Sequence, residues 1–216
     1  MKSPFVLKIL LVAVPLLCLA PALRADTSLS ENFDELTPAP GVTSAGAFHT
    51  INGTNVDVVG GLNGSFFPSL CVAPASGNCI DLGGSEGNPV GVLVSNSSFD
   101  PGTYDLSFDL LGSQRSETTS ATVTFGDYTQ TFLLDPFDTT SGVVINELVT
   151  VTGSPAYLTF TNDGTNDYGD EGPLLDNVTV TTAVTGATPE PGSLALLGTG
   201  ALGILATFRR KIFAAR

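Results

Sequence analysis

From Thr103 to Leu110 the chain alternates at every position. Tyr104, Leu106, Phe108 and Leu110 point one way, and Thr103, Asp105, Ser107 and Asp109 the other. A period of two is the signature of a half-buried strand, since successive side chains leave a pleated backbone on opposite faces. The pattern returns at Ala121–Phe125, with Ala121, Val123 and Phe125 inward, and continues through 128–133, 143–151, 157–161 and 174–181. Turn-forming clusters such as Asp100-Pro101-Gly102 and Asn162-Asp163-Gly164 separate the runs. No sustained helical period interrupts them. Many short strands at this spacing predict an all-β domain, a single antiparallel jelly roll or β-sandwich.

The two ends of the chain are of another kind. Lys2 and Lys8, the apolar run Ile9–Ala20 and the small residues Ala20, Ala22 and Ala25 form an N-terminal signal helix with its cleavage zone. Cleavage after Ala22 or after Ala25 fits, and Ala25 is preferred, giving a signal peptide over 1–25. Cys18 follows Leu17, where a lipoprotein needs a small residue, so it is expected to leave with the leader. At the other end Thr188-Pro189-Glu190-Pro191-Gly192-Ser193 precedes an apolar run, Leu194–Phe208, and the basic cluster Arg209-Arg210-Lys211. Fifteen residues give ~22 Å of helix, a short transmembrane helix beside the ~20 residues of a comfortable span. The basic end stays cytoplasmic by the positive-inside rule, which leaves the region before Pro189 outside. Residues 26–187 are then the ectodomain and 188–216 the tail.

This tail resembles the PEP-CTERM sorting domain, also called the ice-binding protein C-terminal domain. The resemblance rests on Pro189, Glu190 and Pro191, the apolar run, and Arg209 and Arg210. It implies export in a bacterium that makes exopolysaccharide, processing by an exosortase-type membrane protease, and at least transient anchoring in the membrane at the cell surface.

Removing both ends reveals the charge of the domain. Between Asp26 and Thr188 there are twenty acids and one cation, Arg115, a formal charge of −19. Such a field excludes nucleic acid and anionic membrane surfaces and leaves divalent cations and neutral ligands as partners. The segment of 163 residues is long enough to bury a core. Cys71 and Cys79 are its only cysteines, and in an oxidising compartment they are expected to pair as a structural disulfide.

Within the domain, Cys79-Ile80-Asp81-Leu82-Gly83-Gly84-Ser85, Phe99 to Arg115, Ala121 to Gly126, Leu158-Thr159-Phe160 and Gly172 to Val178 follow in an order similar to the jelly-roll module common in PEP-CTERM proteins. That module is similar to galactose-binding-like carbohydrate-binding domains. The resemblance covers about Cys79 to Thr181 and implies exopolysaccharide or another glycan as partner. It also implies a structural calcium between first and last strands, with Glu31 or Asp34 near the start and Asp176 near the end. Members read Asp-Leu-Asp-Gly-Ser where this chain has Asp81-Leu82-Gly83-Gly84-Ser85, so the loop lacks its second carboxylate. Residues 33–70 find no place in the family pattern.

Other constellations are weaker. Gly83-Gly84-Ser85-Glu86-Gly87 spells a nucleophile elbow, but Asn88-Pro89 follows instead of a helix, and the sole histidine, His49, has no evident partner. Asp105 and Asp109 share a strand face ~13 Å apart, too far for glycoside hydrolysis. The stretch Asn162–Gly172 is acidic enough for calcium but fails the EF-hand spacing; a solvated loop explains it equally. Arg115 either clamps a ligand with its planar fork or pairs with Glu117 or Asp109, the preferred reading. Thr122/Thr124, Thr150/Thr152, Thr159/Thr161 and Thr179/Thr181 place threonine pairs outward; they suit a wet strand face or, as in ice-binding proteins, a flat array that orders water. The expected function is that of a non-enzymatic exported surface or matrix protein associating with glycan. A purely structural or adhesive protein is the alternative and a glycoside-active enzyme the third reading.

Overall fold

A computed structural model of the chain describes residues 27–60, 69–85, 91–164, 171–183 and 199–200. The leader with Cys18, the motif residues Pro189, Glu190, Pro191, Arg209 and Arg210, and the expected transmembrane helix (Thr199 and Gly200, which are helical, aside) lie outside the described residues. Among those described, no helix is long and apolar enough to cross a membrane.

Among the described residues thirteen strands form in chain order. The first five are β1 (Thr27–Glu31), β2 (Ala39–Val42), β3 (Ser44–Ala45), β4 (Phe48–Thr50) and β5 (Val56–Gly60). Then come β6 (Asn78–Asp81), β7 (Val92–Ser95), β8 (Gly102–Leu111) and β9 (Thr119–Phe125). The last are β10 (Tyr128–Leu134), β11 (Gly142–Val151), β12 (Thr159–Asn162) and β13 (Leu174–Thr182). Every pairing is antiparallel. One sheet, A, has the order β11-β8-β13-β6-β5-β2 with β1 also on β13; the other, B, runs β10-β9-β12-β7-β4-β3. From β6 onward the chain crosses repeatedly between the sheets, so neighbours in sequence seldom pair. The all-β sandwich is as expected.

The alternation of β8 and β9 decides the core: Leu106, Phe108 and Leu110 meet Ala121, Val123 and Phe125 between the sheets. A file of aromatic rings crosses that core. Phe33, Phe48, Phe160, Phe108 and Phe132 follow one another at centroid separations of 5.3 to 6.1 Å, and the pairs Phe48–Phe160, Phe160–Phe108 and Phe108–Phe132 are edge-on. Phe108 belongs to sheet A and Phe48, Phe132 and Phe160 to sheet B, so the file ties the layers together.

Residues 33–70, unplaced by the family pattern, supply β2 to β5 and enter both sheets. The strand expected over 157–161 starts later, at Thr159, because Tyr157 is exposed and Phe99 bridges Ala156 instead. In β11 a bulge between Val144 and Glu147 breaks the expected alternation and leaves Ile145 and Leu148 exposed. A second bulge lies in β13 between Asp176 and Thr179. Each bulge holds an asparagine in the left-handed region, Asn146 and Asn177, and both open onto β8.

The outer face of sheet A has a small core of its own. Val58 and Ile80 point into the sandwich, so Val59 and Cys79 point out, where they pack with Ala75, Leu111 and Leu174. The Cys71–Cys79 disulfide, Leu70 and Val72 form the cover. Phe108→Ala is expected to cost about 3–5 kcal/mol, read as a lower urea midpoint, with the slope of the transition kept.

Candidate functional site

Three features of the described residues bear on function, two on sheet A and one on sheet B. The first is built on Asp57 and Asp81, which lie directly opposite on β5 and β6. Val56, Val58, Ile80 and Leu82 take the core side, so both carboxylates fall on the outer side, yet both are buried. Asp57 accepts from Gly41 N at 2.7 Å and from Ser85 Oγ at 2.7 Å. Asp81 accepts from Gly83 N at 2.8 Å and Gly172 N at 2.9 Å, and its other oxygen pairs with Arg115 Nη2. Arg115 Nε stands 3.8 Å from Glu171 Oε1. Burial pushes the Asp81 carboxyl up to about 7, against Arg115 and the Gly83 and Gly172 amides that hold it down.

This places Arg115 differently from the sequence expectation. Its partners are Asp81 and Glu171, not Glu117 or Asp109, because the loop after β8 turns the guanidinium toward β6. Glu117 offers its carbonyl to Ser113 Oγ, and Asp109 accepts from Asn177 Nδ2. The nucleophile pattern also dissolves: Ser85 Oγ is given to Asp57, and His49 Nδ1 bonds Asn96 Oδ1 at 2.9 Å.

The second feature gathers the acids expected to hold calcium. Asp176 accepts from Ser76 N and Asn177 N. Burial raises its carboxyl to about 6, with the nearby Asp34 and Asp109 charges adding to the rise. Asp34 accepts from Asn78 N at 2.9 Å, and Gly77 lies so close to Asp34 Oδ1 that any side chain would collide with it. Asp34 and Asp176 are thus brought together. Glu31 is not: its two oxygens accept from Phe33 N and Ala47 N. Carboxylates are the right donors for calcium, but among the described residues no three His, Cys, Asp or Glu side chains gather to hold a metal ion. Residues 165–170 of the acidic stretch lie outside the described residues.

The third feature is an absence of charge. The six strands of sheet B contain no Asp, Glu, Lys or Arg, whereas those of sheet A carry Glu31, Asp57, Asp81, Asp105, Asp109, Glu147 and Asp176. The sequence held this signal in the composition of its strands, but only the pairing order sorts them into one charged and one uncharged sheet.

The described domain is therefore an antiparallel β-sandwich. Residues 187–211 match the PEP-CTERM protein-sorting motif, which marks an exported protein sorted to the cell surface. Among curated protein sequences none matches the chain. Solved structures that align with the chain include the arabinose-bound α-L-arabinofuranosidase MgGH51, at 15% identity and TM-score 0.46, with 70% of this chain and 25% of that one covered. The K3 cleaved adhesin domain of Lys-gingipain from Porphyromonas gingivalis W83 aligns at 17% identity and TM-score 0.43, over 73% and 100% of the two chains. The carbohydrate-binding module CBM29-2 with mannohexaose aligns at 15% identity and TM-score 0.33, over 74% and 94%. With TM-scores below 0.5, these alignments carry no argument about this chain.

The Arg115–Asp81 pair makes a testable statement about pH. The folded domain holds the Asp81 and Asp176 protons more tightly than the unfolded chain, in which an aspartate titrates near its ordinary 3.8. Their stabilising contribution is complete below about pH 4 and is lost as pH rises through about 6 and 7. The melting temperature is expected to fall from pH 5 to pH 8, and less steeply in Asp81→Asn. Arg115→Ala, which strands a buried carboxylate, should cost about 3–5 kcal/mol at pH 8 and less at pH 5, where Asp81 takes up a proton. Equal losses at both values would contradict this account.

Proposed function

We propose that this chain is an exported cell-surface or extracellular-matrix protein, released through its PEP-CTERM tail by an exosortase-type protease. Its β-sandwich associates with exopolysaccharide without transforming it. The observation that carries the reading is the sorting motif at 187–211 behind a domain whose buried acids are spent on backbone. Asp81 and Asp176 accept amide hydrogens that pin a loop, and Asp57 accepts from Gly41 N of β2 and from Ser85 Oγ. A carboxylate so committed has little freedom to act as acid or nucleophile. With a formal charge of −19 between Asp26 and Thr188, the domain favours an uncharged glycan over an anionic one.

A glycan array probed with the Asp26–Thr188 fragment tests the proposal. Binding without released sugar supports it. Silence on every glycan favours the purely structural or adhesive reading, and released reducing sugar would turn the proposal toward a glycoside-active enzyme.

Calcium enters the same reading as a stabiliser beside Asp34 and Asp176, the two expected ligands that lie together. A cation against them would offset the repulsion that Asp34 exerts on Asp176. Millimolar calcium is expected to raise the melting temperature, with reversal by chelator and no such rise in Asp176→Asn. An unchanged melting curve with calcium removes the ion from the proposal.

A further inference from the structure

The outer face of sheet B carries a grid of threonines. In register, Thr129 of β10 faces Thr124 of β9, which faces Thr159 of β12; two residues along, Thr131 faces Thr122, which faces Thr161. Ala121, Val123, Phe125 and Phe160 take the core side, so the six threonines stand together outside, half-buried or exposed. Strand geometry sets them ~4.8 Å apart across the strands and ~7 Å along them. Val94 and Val92 of β7 pair with Thr159 and Thr161 and extend both rows with β-branched side chains.

Three properties of this face select what can lie on it. Its strands contribute no Asp, Glu, Lys or Arg; the imidazole of His49 beside Val94 and the Asp163 carboxylate at Thr122 lie at its borders. A strongly acidic domain therefore presents one broad face on which a neutral surface can lie without desolvating strand carboxylates, and which has no Lys or Arg on its strands to attract an anionic one. It is also pre-ordered. Threonine is stiff at χ1, and Thr131 Oγ1 lies 2.7 Å from Thr122 Oγ1, which donates onward to Asp163 Oδ2 at 2.6 Å. Fewer rotamers are then lost on docking. Finally, each threonine offers a hydroxyl beside a methyl, so the face can hydrogen-bond the hydroxyls of a sugar and also contact its C–H groups.

We propose that the threonine grid of sheet B is the surface through which this protein lies on a neutral, flat-packed polysaccharide, and that the acidic face of sheet A takes no part. The proposal rests on the glycan reading above and adds the face and the charge class of the polymer.

Retention of the full-length protein on microcrystalline cellulose and curdlan, with alginate as the anionic comparison, tests it. Wild type is expected to be retained on a neutral polymer and not on alginate. Thr129→Lys with Thr131→Lys, on the exposed edge strand β10, should lower retention at least tenfold with an unchanged melting temperature. Thr179→Lys on sheet A should leave retention unchanged. Thr124→Val, near-isosteric and safe for folding, should lower retention several-fold, which keeps the test open should the lysine pair fail to fold. Undiminished retention of both sheet B variants overturns the assignment of the face while leaving the glycan reading intact. Retention on alginate alone overturns the charge class. Absence from all three polymers, or ice shaping by wild type in place of glycan retention, overturns the glycan reading and this proposal with it.

Discussion

A domain with twenty acids and one arginine cannot neutralise its buried carboxylates with cations, and the main chain takes their place. Glu31, Asp34, Asp57, Asp81, Asp127, Asp138 and Asp176 each accept at least one backbone N–H. A carboxylate can accept several such bonds, and bonds to an ionised acceptor are stronger than neutral ones. Most of these contacts tie a loop to a distant element, as Asp34 to Asn78, Asp176 to Ser76 and Asp127 to Thr150, whereas Asp57 fastens Gly41 of the neighbouring strand β2. The acids are the fasteners of the loops rather than a decorated surface. Asp138 shows the same device at the exposed tip between β10 and β11, where Ser141 and Thr140 hold its carboxyl down at about 2.

Asp81 is the place where main-chain donors alone do not suffice. It faces Asp57 across β5 and β6, and like charges directly opposite destabilise a sheet pair. The one arginine of the domain is directed to this position, although Glu117 and Asp109 lie far nearer in sequence. Unequal need accounts for the choice. Exposed acids keep their water, whereas a fully buried one must be paired or take up a proton.

The fold was legible where the two-residue period was long. The run from Tyr104 to Leu110 and that from Ala121 to Phe125 name the inner face directly, and the structure buries those residues. It was illegible where strands are shorter than one period can register, as in Ser44–Ala45 and Phe48–Thr50, or where a bulge shifts the phase, as at Asn146. The disulfide could be expected because two cysteines in an oxidising compartment leave little choice, and a disulfide does close the Cys71–Cys79 loop. The acids could not be sorted in this way. Asp34 and Asp176 meet because β1 and β13 pair, whereas Glu31, three residues before Asp34, turns to the amide of Ala47. Which carboxylate faces which amide is a property of the loops, and loop geometry leaves little periodic trace in sequence.

The same shortage of cations explains why charge is divided between the sheets. The outer face of sheet A lies under chain: the disulfide segment and the loops bearing Gly83, Ser76 and Gly172 cover it and supply amides to Asp81 and Asp176, while Ser85 gives its hydroxyl to Asp57. Acids on its strands can therefore be held. The threonine rows of sheet B receive no such amides, and acids placed there would face one another across the strands with nothing to offset them. Threonine escapes the difficulty because its hydroxyl both donates and accepts, so Thr131 and Thr122 satisfy each other and pass the bond outward to Asp163 at the border. A sheet without acidic strand residues in so acidic a domain follows from where the backbone amides are, and it leaves sheet B as the face that a neutral partner can cover at the least cost in desolvated carboxylates.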